Sequence, residues 1–406
     1  MSYCLETADA VADAVGAERV QARPVPRLCF VSLRAYGLLS GRSGIRHQGG
    51  AERQQVLLAR ELLRRGYSVS FVTLDHGQPD GESVDEGLRV FKAYRLESGA
   101  RGLRFLHPRL TALWAAMSRA DADVYYQRGA EAETGLVACW CRLRRRRFVF
   151  AAAHDTNFYP GLDLLGSLRE RVLYRYGLRR ADRIVVQTEQ QRALLRRGFG
   201  LESRLVRNCW APPADAPAGP SSSPSPGTAL WVGRLSPEKR PEWLVALARD
   251  LPHHRFEVVG HSNVSSRLAA RLEEELRALP NVTWHGFLPH ERLREVYSRA
   301  SVLVCTSEAE GFPNVFLEAW GHGVATVSTV DPDGLIRANQ LGDVAAGYAD
   351  LRRLLEGVRA EPAAWRERGR RAAAYARAHH APAASAAALD DVLRELLPAS
   401  STGTRP

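Results

Sequence analysis

The chain lacks the residues that build a metal centre, a disulfide framework or a membrane span. Its 406 residues include six cysteines, and only Cys139 and Cys141 lie close together. There is no Cys-x2-Cys pair and no Cys/His cluster, so neither structural zinc nor a disulfide-stapled fold is expected, and a reducing cytoplasm fits. No apolar run approaches the ~20 residues that a spanning helix needs. The N-terminus, MSYCLETADAVADAV, carries Glu6, Asp9 and Asp13 and has no basic start before an apolar core, unlike a secretory signal. Helix-turn-helix, zinc-finger and RNA-recognition signatures are missing, and the basic residues have no interleaved stacking aromatics. Nucleic-acid binding therefore rests on charge alone.

Positive charge is what the chain has in excess. The formal net charge is +11, with a pI near 9.7. Residues 1–210 sum to about +12 and the remainder to about −1, an asymmetry that marks a partner of opposite sign: nucleic acid, anionic lipid or an acidic substrate. The arginines at 142 and 144–147, with those of GLRRADR and LLRRG, would form one basic face. At this length a single core is outgrown, so two domains are expected.

The order of elements supports two domains. Arg27 to Ser32 reads as a strand, followed by a polar, Gly-rich loop that ends at Gly49-Gly50. Ala51 to Arg65 has helical spacing and Val69 to Thr73 is the next strand. Paired glycines before a helix let backbone N–H groups approach a ligand closely. Further strands fall at 123–127, 147–151 and 183–187. His154 lies just past one of them, where α/β domains display functional side chains. Residues 211–228, APPADAPAGPSSSPSPGT, read as a linker. A second βα series then begins at Ala229, and its first strand ends at Gly233. The loop that follows offers Arg234 and Lys239, two cations at a helix start, which is a diphosphate cradle that needs no metal.

The stretch from Ser301 to Ser328, SVLVCTSEAEGFPNVFLEAWGHGVATVS, is one βαβ unit. A buried strand leads into a loop with Glu308, Glu310 and Gly311. Pro313 suits the first turn of a helix that takes in Val315 to Trp320. Glu310 and Glu318 then sit on the order of 10 Å apart, too far to share one glycosidic bond but suited to two sugars flanking a diphosphate. Free helix N–H groups between them would face the phosphates.

EAEGFPNVFLEAWGHGVATV, Gly-Arg-Leu-Ser-Pro-Glu-Lys and GGAERQQVLLARELLRRGYSVSFVT together resemble the retaining glycosyltransferases of family 4, bacterial surface-polysaccharide type. The resemblance covers roughly residues 27–395. It implies an α/β protein of two Rossmann-like domains facing each other across a cleft, the GT-B architecture. The N-terminal, acceptor-side domain would span 27–210 and the donor domain 229–396, with C-terminal helices bracing the N-terminal domain. It implies transfer of a hexosyl group from a UDP- or GDP-type sugar, the donor substrate, with no separate cofactor, to a glycan or lipid-linked acceptor. In this reading Arg234 and Lys239 hold the diphosphate, Glu318 binds ribose hydroxyls and Glu310 binds the donor sugar. Backbone N–H groups of Gly311, Phe312, Pro313 and Asn314 line the phosphate and sugar, although Pro313 itself can offer only its carbonyl. Gly49, Gly50 and His154 supply the acceptor side and close over the donor from the other domain, with His154 facing the donor sugar as a catalytic residue. The Asn208-Cys209-Trp210 run replaces the Asn-Pro that relatives often carry there. Neither Asp121/Asp123 nor Asp331/Asp333 is placed to hold a metal at the donor. A cytoplasmic protein is the expected setting, with its basic face either solvated or set against anionic lipid on the inner face of a membrane. A sugar-nucleotide epimerase of similar build is the enzyme alternative, and a nucleic-acid-binding protein is the non-enzymatic one.

Overall fold

The computed structural model describes residues 25–41, 49–100, 102–162, 165–212, 227–261 and 267–397. Most of the Pro/Ser-rich linker, the N-terminal extension, part of the Gly-rich loop and the C-terminal tail lie outside the described residues.

Two sheets organise the chain. The first contains β1 (Arg27–Val31), β2 (Ser68–Thr73), β3 (Glu82–Val84), β4 (Leu88–Lys92), β5 (Val124–Arg128), β6 (Arg147–Ala151), β7 (Arg183–Val186) and β8 (Arg204–Leu205). Their spatial order is β3-β4-β2-β1-β5-β6-β7-β8, parallel except for the edge hairpin of β3 with β4. The second contains β9 (Thr228–Arg234), β10 (Arg255–His261), β11 (Val282–Gly286), β12 (Val302–Cys305), β13 (Ala325–Ser328) and β14 (Gly342–Val344). These run all-parallel in the order β11-β10-β9-β12-β13-β14. Strands buried on both faces must be apolar throughout, which is why β12 reads VLVC with every residue buried.

Each sheet reverses direction beside its first strand, between β1 and β5 and between β9 and β12. Such reversals open a crevice at the carboxyl ends of the strands. In the second sheet the opening is visible in the register. β9 pairs with β10 from Thr228 to Arg234, but with β12 only at Ala229 and Leu230. Beyond Leu230 the two strands diverge, and their loops carry Lys239 and Glu310.

Two C-terminal helices tie the halves together. The Pro362–His379 helix packs on the second sheet, so closely that a Cβ at Gly369 would lie 1.9 Å from the Gly323 carbonyl. The Pro382–Arg394 helix instead crosses to the first sheet. Its Ala386, Leu389, Val392 and Leu393 join a core with Leu28, Phe30, Val56 and Leu62. Full burial of each such leucine contributes about 1.5–3 kcal/mol. The Tyr67 hydroxyl donates to Asp390 at 2.6 Å at the same junction. Among the described residues no helix is long and apolar enough to cross a membrane.

Candidate functional site

The loops after β9 and β12 form one wall. The Glu308 N–H donates to the Glu238 carbonyl at 2.9 Å, and Arg240 pairs with Glu308 at 3.1 Å. This stitching brings Lys239 against Glu310, and the two side chains form an ion pair that is largely shielded from water. Arg234 stays at the rim, more than half exposed and paired with Glu238 at 3.2 Å. Of the two cations expected to cradle the diphosphate, one is thus inner and one outer.

The helix after Glu310 spans Asn314–Gly321 and starts without a side-chain cap. Pro313 stands just ahead of the helix, with φ −64° and ψ 121°, not inside the first turn. Its rigid φ directs the chain into the helix. The Phe312 side chain turns inward, packed near Trp320 and His380, so any ligand contact falls to its backbone. Glu318 is deeply buried. Its Oε2 accepts from the Tyr297 hydroxyl at 2.9 Å, and its Oε1 lies 3.3 Å from Arg53 Nη1 of the first domain. Burial pushes the Glu318 carboxyl above its ordinary range, opposed by Arg53 and Tyr297.

The opposite wall meets this one directly. Gly49 caps the Gly50–Arg64 helix in extended backbone. Asn314 Nδ2 donates to the Gly50 carbonyl at 2.7 Å, and a Cβ on Gly50 would lie 2.4 Å from that nitrogen. Glycine there is a close-approach requirement. Gly311 has the same role across the cleft: a Cβ would fall 2.5 Å from Gln191 Nε2 and 3.0 Å from the Ala153 carbonyl. His154 closes the gap. Its Nδ1 accepts from the Thr156 N–H at 3.2 Å, so Nε2 carries the proton and donates to the Ala309 carbonyl at 3.0 Å. Burial lowers the His154 pKa, partly countered by nearby Glu310, and the ring is neutral at physiological pH.

Both halves of the chain match glycosyltransferase families. Residues 49–209 match the model described as a glycosyl transferase 4-like domain, and residues 226–356 match glycosyl transferases group 1. The chain is a family 4 glycosyltransferase with the GT-B fold. This glycosyltransferase is 24% identical over 364 residues to mannosylfructose-phosphate synthase of Agrobacterium fabrum, covering 78% of this chain and 79% of that one. An uncharacterized glycosyltransferase of Haemophilus influenzae is 22% identical over 286 residues, covering 69% and 76%. In fold, the enzyme is similar to sucrose-phosphate synthase from Thermosynechococcus elongatus, with TM-score 0.72 and 22% identity over 91% of this chain and 99% of that one. It is also similar to Anabaena HepE solved in complex with UDP, with TM-score 0.64 and 16% identity over 91% and 100%.

The residues singled out from the sequence of this glycosyltransferase converge on one cleft, with Arg234 at its edge. The Asn208-Cys209-Trp210 run, marked in the sequence only as a departure from Asn-Pro, also lies there, together with Arg128 and Gln54, which had no sequence signal. Asn208 Nδ2 donates to the Phe312 carbonyl at 3.1 Å and to Asn314 Oδ1 at 3.0 Å. Its Oδ1 accepts from Arg128 at 2.7 Å. Gln54 grips the Cys209 backbone twice, accepting from its N–H at 2.8 Å and donating to its carbonyl at 2.7 Å. Trp210 lies against Gly321, where a Cβ would fall 2.3 Å from the indole. Departure from Asn-Pro thus leaves Cys209 hydrogen-bonded at the hinge, because its N–H, which proline would lack, has Gln54 as its partner. Asp155, beside His154, is buried, and that burial pushes its carboxyl up to about 7.

Both Asp-x-Asp pairs are already engaged. Asp121 and Asp123 pair with Arg27 and Arg146. Asp331 accepts from the Ile336 N–H at 2.7 Å, and Asp333 accepts from the Glu189 and Gln190 N–H groups at 2.9 and 3.0 Å. Asp333 therefore caps a helix of the other domain, an attachment between the halves that spacing alone does not reveal.

Proposed function

We propose that this enzyme transfers a hexosyl group, with retention, from a UDP- or GDP-type sugar to an acceptor hydroxyl in polysaccharide or glycolipid assembly. The observation that carries the reading is the Lys239–Glu310 pair beside the uncapped Asn314 helix start, with Glu318 behind it and Gly50 and His154 opposite. Helix N–H groups and a lysine suit a diphosphate. A lysine-tethered carboxylate suits sugar hydroxyls, and a buried carboxylate deeper in suits ribose. Solved structures of similar fold that hold UDP or ADP lend support to a nucleotide-sugar donor.

In this mechanism the acceptor oxygen bonds to the anomeric carbon on the face from which the diphosphate departs. The anomeric carbon–phosphate oxygen bond breaks with its electron pair on the phosphate, which also takes the acceptor proton. Lys239 and Arg234 stabilise the charge that develops on the leaving group. Neutral His154 donates its proton to Ala309 and acts by closing the cleft. A covalent Glu310 nucleophile is the competing mechanism, and isolation of a glycosyl adduct on Glu310 would establish it. Incubation with donor alone separates transfer from epimerisation, which needs no acceptor.

The donor assignment is tested by thermal stabilisation with UDP-, GDP- and ADP-sugars, since a ligand of the native state raises the melting point. With the stabilising donor, Glu318→Gln should weaken binding at least about tenfold through loss of charge-assisted bonds. An unchanged Kd in a folded variant removes Glu318 from the site.

A lipid-linked acceptor would place the enzyme peripherally on the inner, cytoplasmic face of a membrane. The basic face divides under this reading. Arg146, Arg147, Arg183 and Arg196 are paired with carboxylates, whereas Arg142, Arg144 and Arg145 are exposed. Exposed Leu103, Leu106, Leu168 and Val172 add apolar surface where Arg169 stacks over Phe105 at 4.1 Å. Each cation near anionic lipid contributes about 1 kcal/mol. Binding to anionic vesicles should therefore weaken as salt rises. Equal binding to neutral vesicles, or none to either, refutes docking of the basic face on anionic lipid.

A further inference from the structure

The carboxylate read above as the ribose acid is held from two sides, and one side belongs to the other domain. Tyr297, itself fully buried, reaches Glu318 Oε2 from the His290–Arg299 helix. Arg53 reaches Oε1 from the first turn of the Gly50–Arg64 helix, with only 17% of its side chain exposed. That turn is fixed against the hinge, because the next residue, Gln54, exchanges both hydrogen bonds with Cys209. Arg53 is thereby aimed across the cleft by a rigid anchor.

We propose that Arg53 is a positioning residue of the donor site: the N-terminal domain supplies the cation that keeps Glu318 a charged acceptor, so donor affinity depends on domain closure. The inference rests on the reading of Glu318 as the ribose acid. A carboxylate offers about four lone-pair directions. Tyr297 engages one on Oε2 and the Arg53 guanidinium forms an ion pair at Oε1, which leaves directions on both oxygens for a pair of vicinal hydroxyls. Without a counter-ion the carboxylate would sit in a site whose burial favours its neutral form, and a protonated carboxyl loses acceptor capacity. The groups facing Glu318 are few. Tyr297 is a neutral phenol whose own pKa is raised by burial. His322, stacked on Tyr297 at 5.2 Å, uses Nδ1 on the Glu318 carbonyl at 2.7 Å, and burial lowers its pKa. Arg294 and Arg53 both act electrostatically on the His322 ring. Arg53 is thus the cation in contact with the carboxylate.

The sign follows from these groups. Loss of Arg53 raises the Glu318 pKa further, so the charged fraction falls as pH drops through the raised value. Donor affinity falls with it and recovers as pH rises. The test is calorimetric titration of the full-length protein with UDP, GDP and ADP between about pH 5.5 and 8.5, followed with the diphosphate that binds. Each profile is read against wild type, since the terminal phosphate of the probe also titrates in this window, and a flat profile is one that runs parallel to wild type. Arg53→Gln should bind at least about tenfold more weakly at neutral pH, with the deficit widening toward acid. Arg53→Lys, which keeps the charge, should restore most of the affinity and the flat profile. Wild-type affinity with a flat profile in Arg53→Gln, while Glu318→Gln binds at least about tenfold more weakly, overturns the proposal and leaves the donor reading intact. Tighter binding in Arg53→Gln also overturns it, since Arg53 would then be a competitor of the donor. Equal loss in Arg53→Lys and Arg53→Gln with flat profiles overturns the electrostatic role. Unchanged affinity in Glu318→Gln, or no binding of any of the three by wild type, refutes the donor reading itself.

Discussion

Lys239→Ala is expected to lower kcat by about 10²–10³, while EDTA leaves the wild-type rate unchanged. The lysine does two things at once. Its ammonium holds the Glu310 carboxylate, and both side chains are largely removed from water. It also stands at the carboxyl-end crevice between β9 and β12, where a diphosphate would meet the Asn314 helix start. A leaving diphosphate gains negative charge as the sugar departs, so a cation there matters more in the transition state than in the bound ground state. The loss should therefore appear in kcat more than in KM. Arg234→Ala should act in the same direction, its guanidinium swinging in from the rim, where it now pairs with Glu238. Metal independence is an expectation that the EDTA arm tests. The carboxylates of both Asp-x-Asp pairs are committed to arginines or helix N–H groups. Among the described residues no group of three His, Cys, Asp or Glu side chains is arranged to hold an ion. Strict dependence on added Mg²⁺ or Mn²⁺, with the Lys239 and Arg234 variants still active, would refute this account.

The second large effect concerns the hinge. Asn208→Leu is expected to destabilise the protein by roughly 3 kcal/mol, a drop in Tm of about 3–4 °C for a chain of this length. Asn208 is buried, and its amide oxygen accepts from Arg128, whose Nε has no partner among the described residues. Leucine has nearly the right volume but leaves a shielded guanidinium without this acceptor. It also strips donors from the Phe312 carbonyl and from Asn314, the residue that bridges to Gly50. Asn208→Asp keeps an acceptor for Arg128 and should recover much of the lost stability. A melting temperature for Asn208→Leu within about 1 °C of wild type would show that the hinge network contributes little.

Some of this was legible along the chain because the physics is local. Alternating apolar runs and helical spacing mark the βα units, since a strand buried on both faces can tolerate little else. Gly-Arg-Leu-Ser-Pro-Glu-Lys and Glu-x7-Glu each fall within one strand–loop–helix step, so their side chains must emerge at the same end of the sheet. The edge hairpin at 82–92 was not read, since three-residue β3 is too short to show a period. Pro313 was placed one position too far into its helix, because its fixed φ suits either side of the boundary.

What only the tertiary structure decided is which groups face those motifs. Asn314 meets Gly50 across 264 residues of chain, and His154 meets Ala309 across 155. Asp333 caps a helix 143 residues earlier, and Arg53 finds Glu318. No spacing encodes such pairs, because each depends on how two separately wound sheets are set against each other. The alanine-rich helix at 382–394 makes the same point. Its amphipathic face requires burial, and the family resemblance implied a brace on the N-terminal domain, but nothing in the residues themselves chooses the first sheet over the second, which precedes it in the chain.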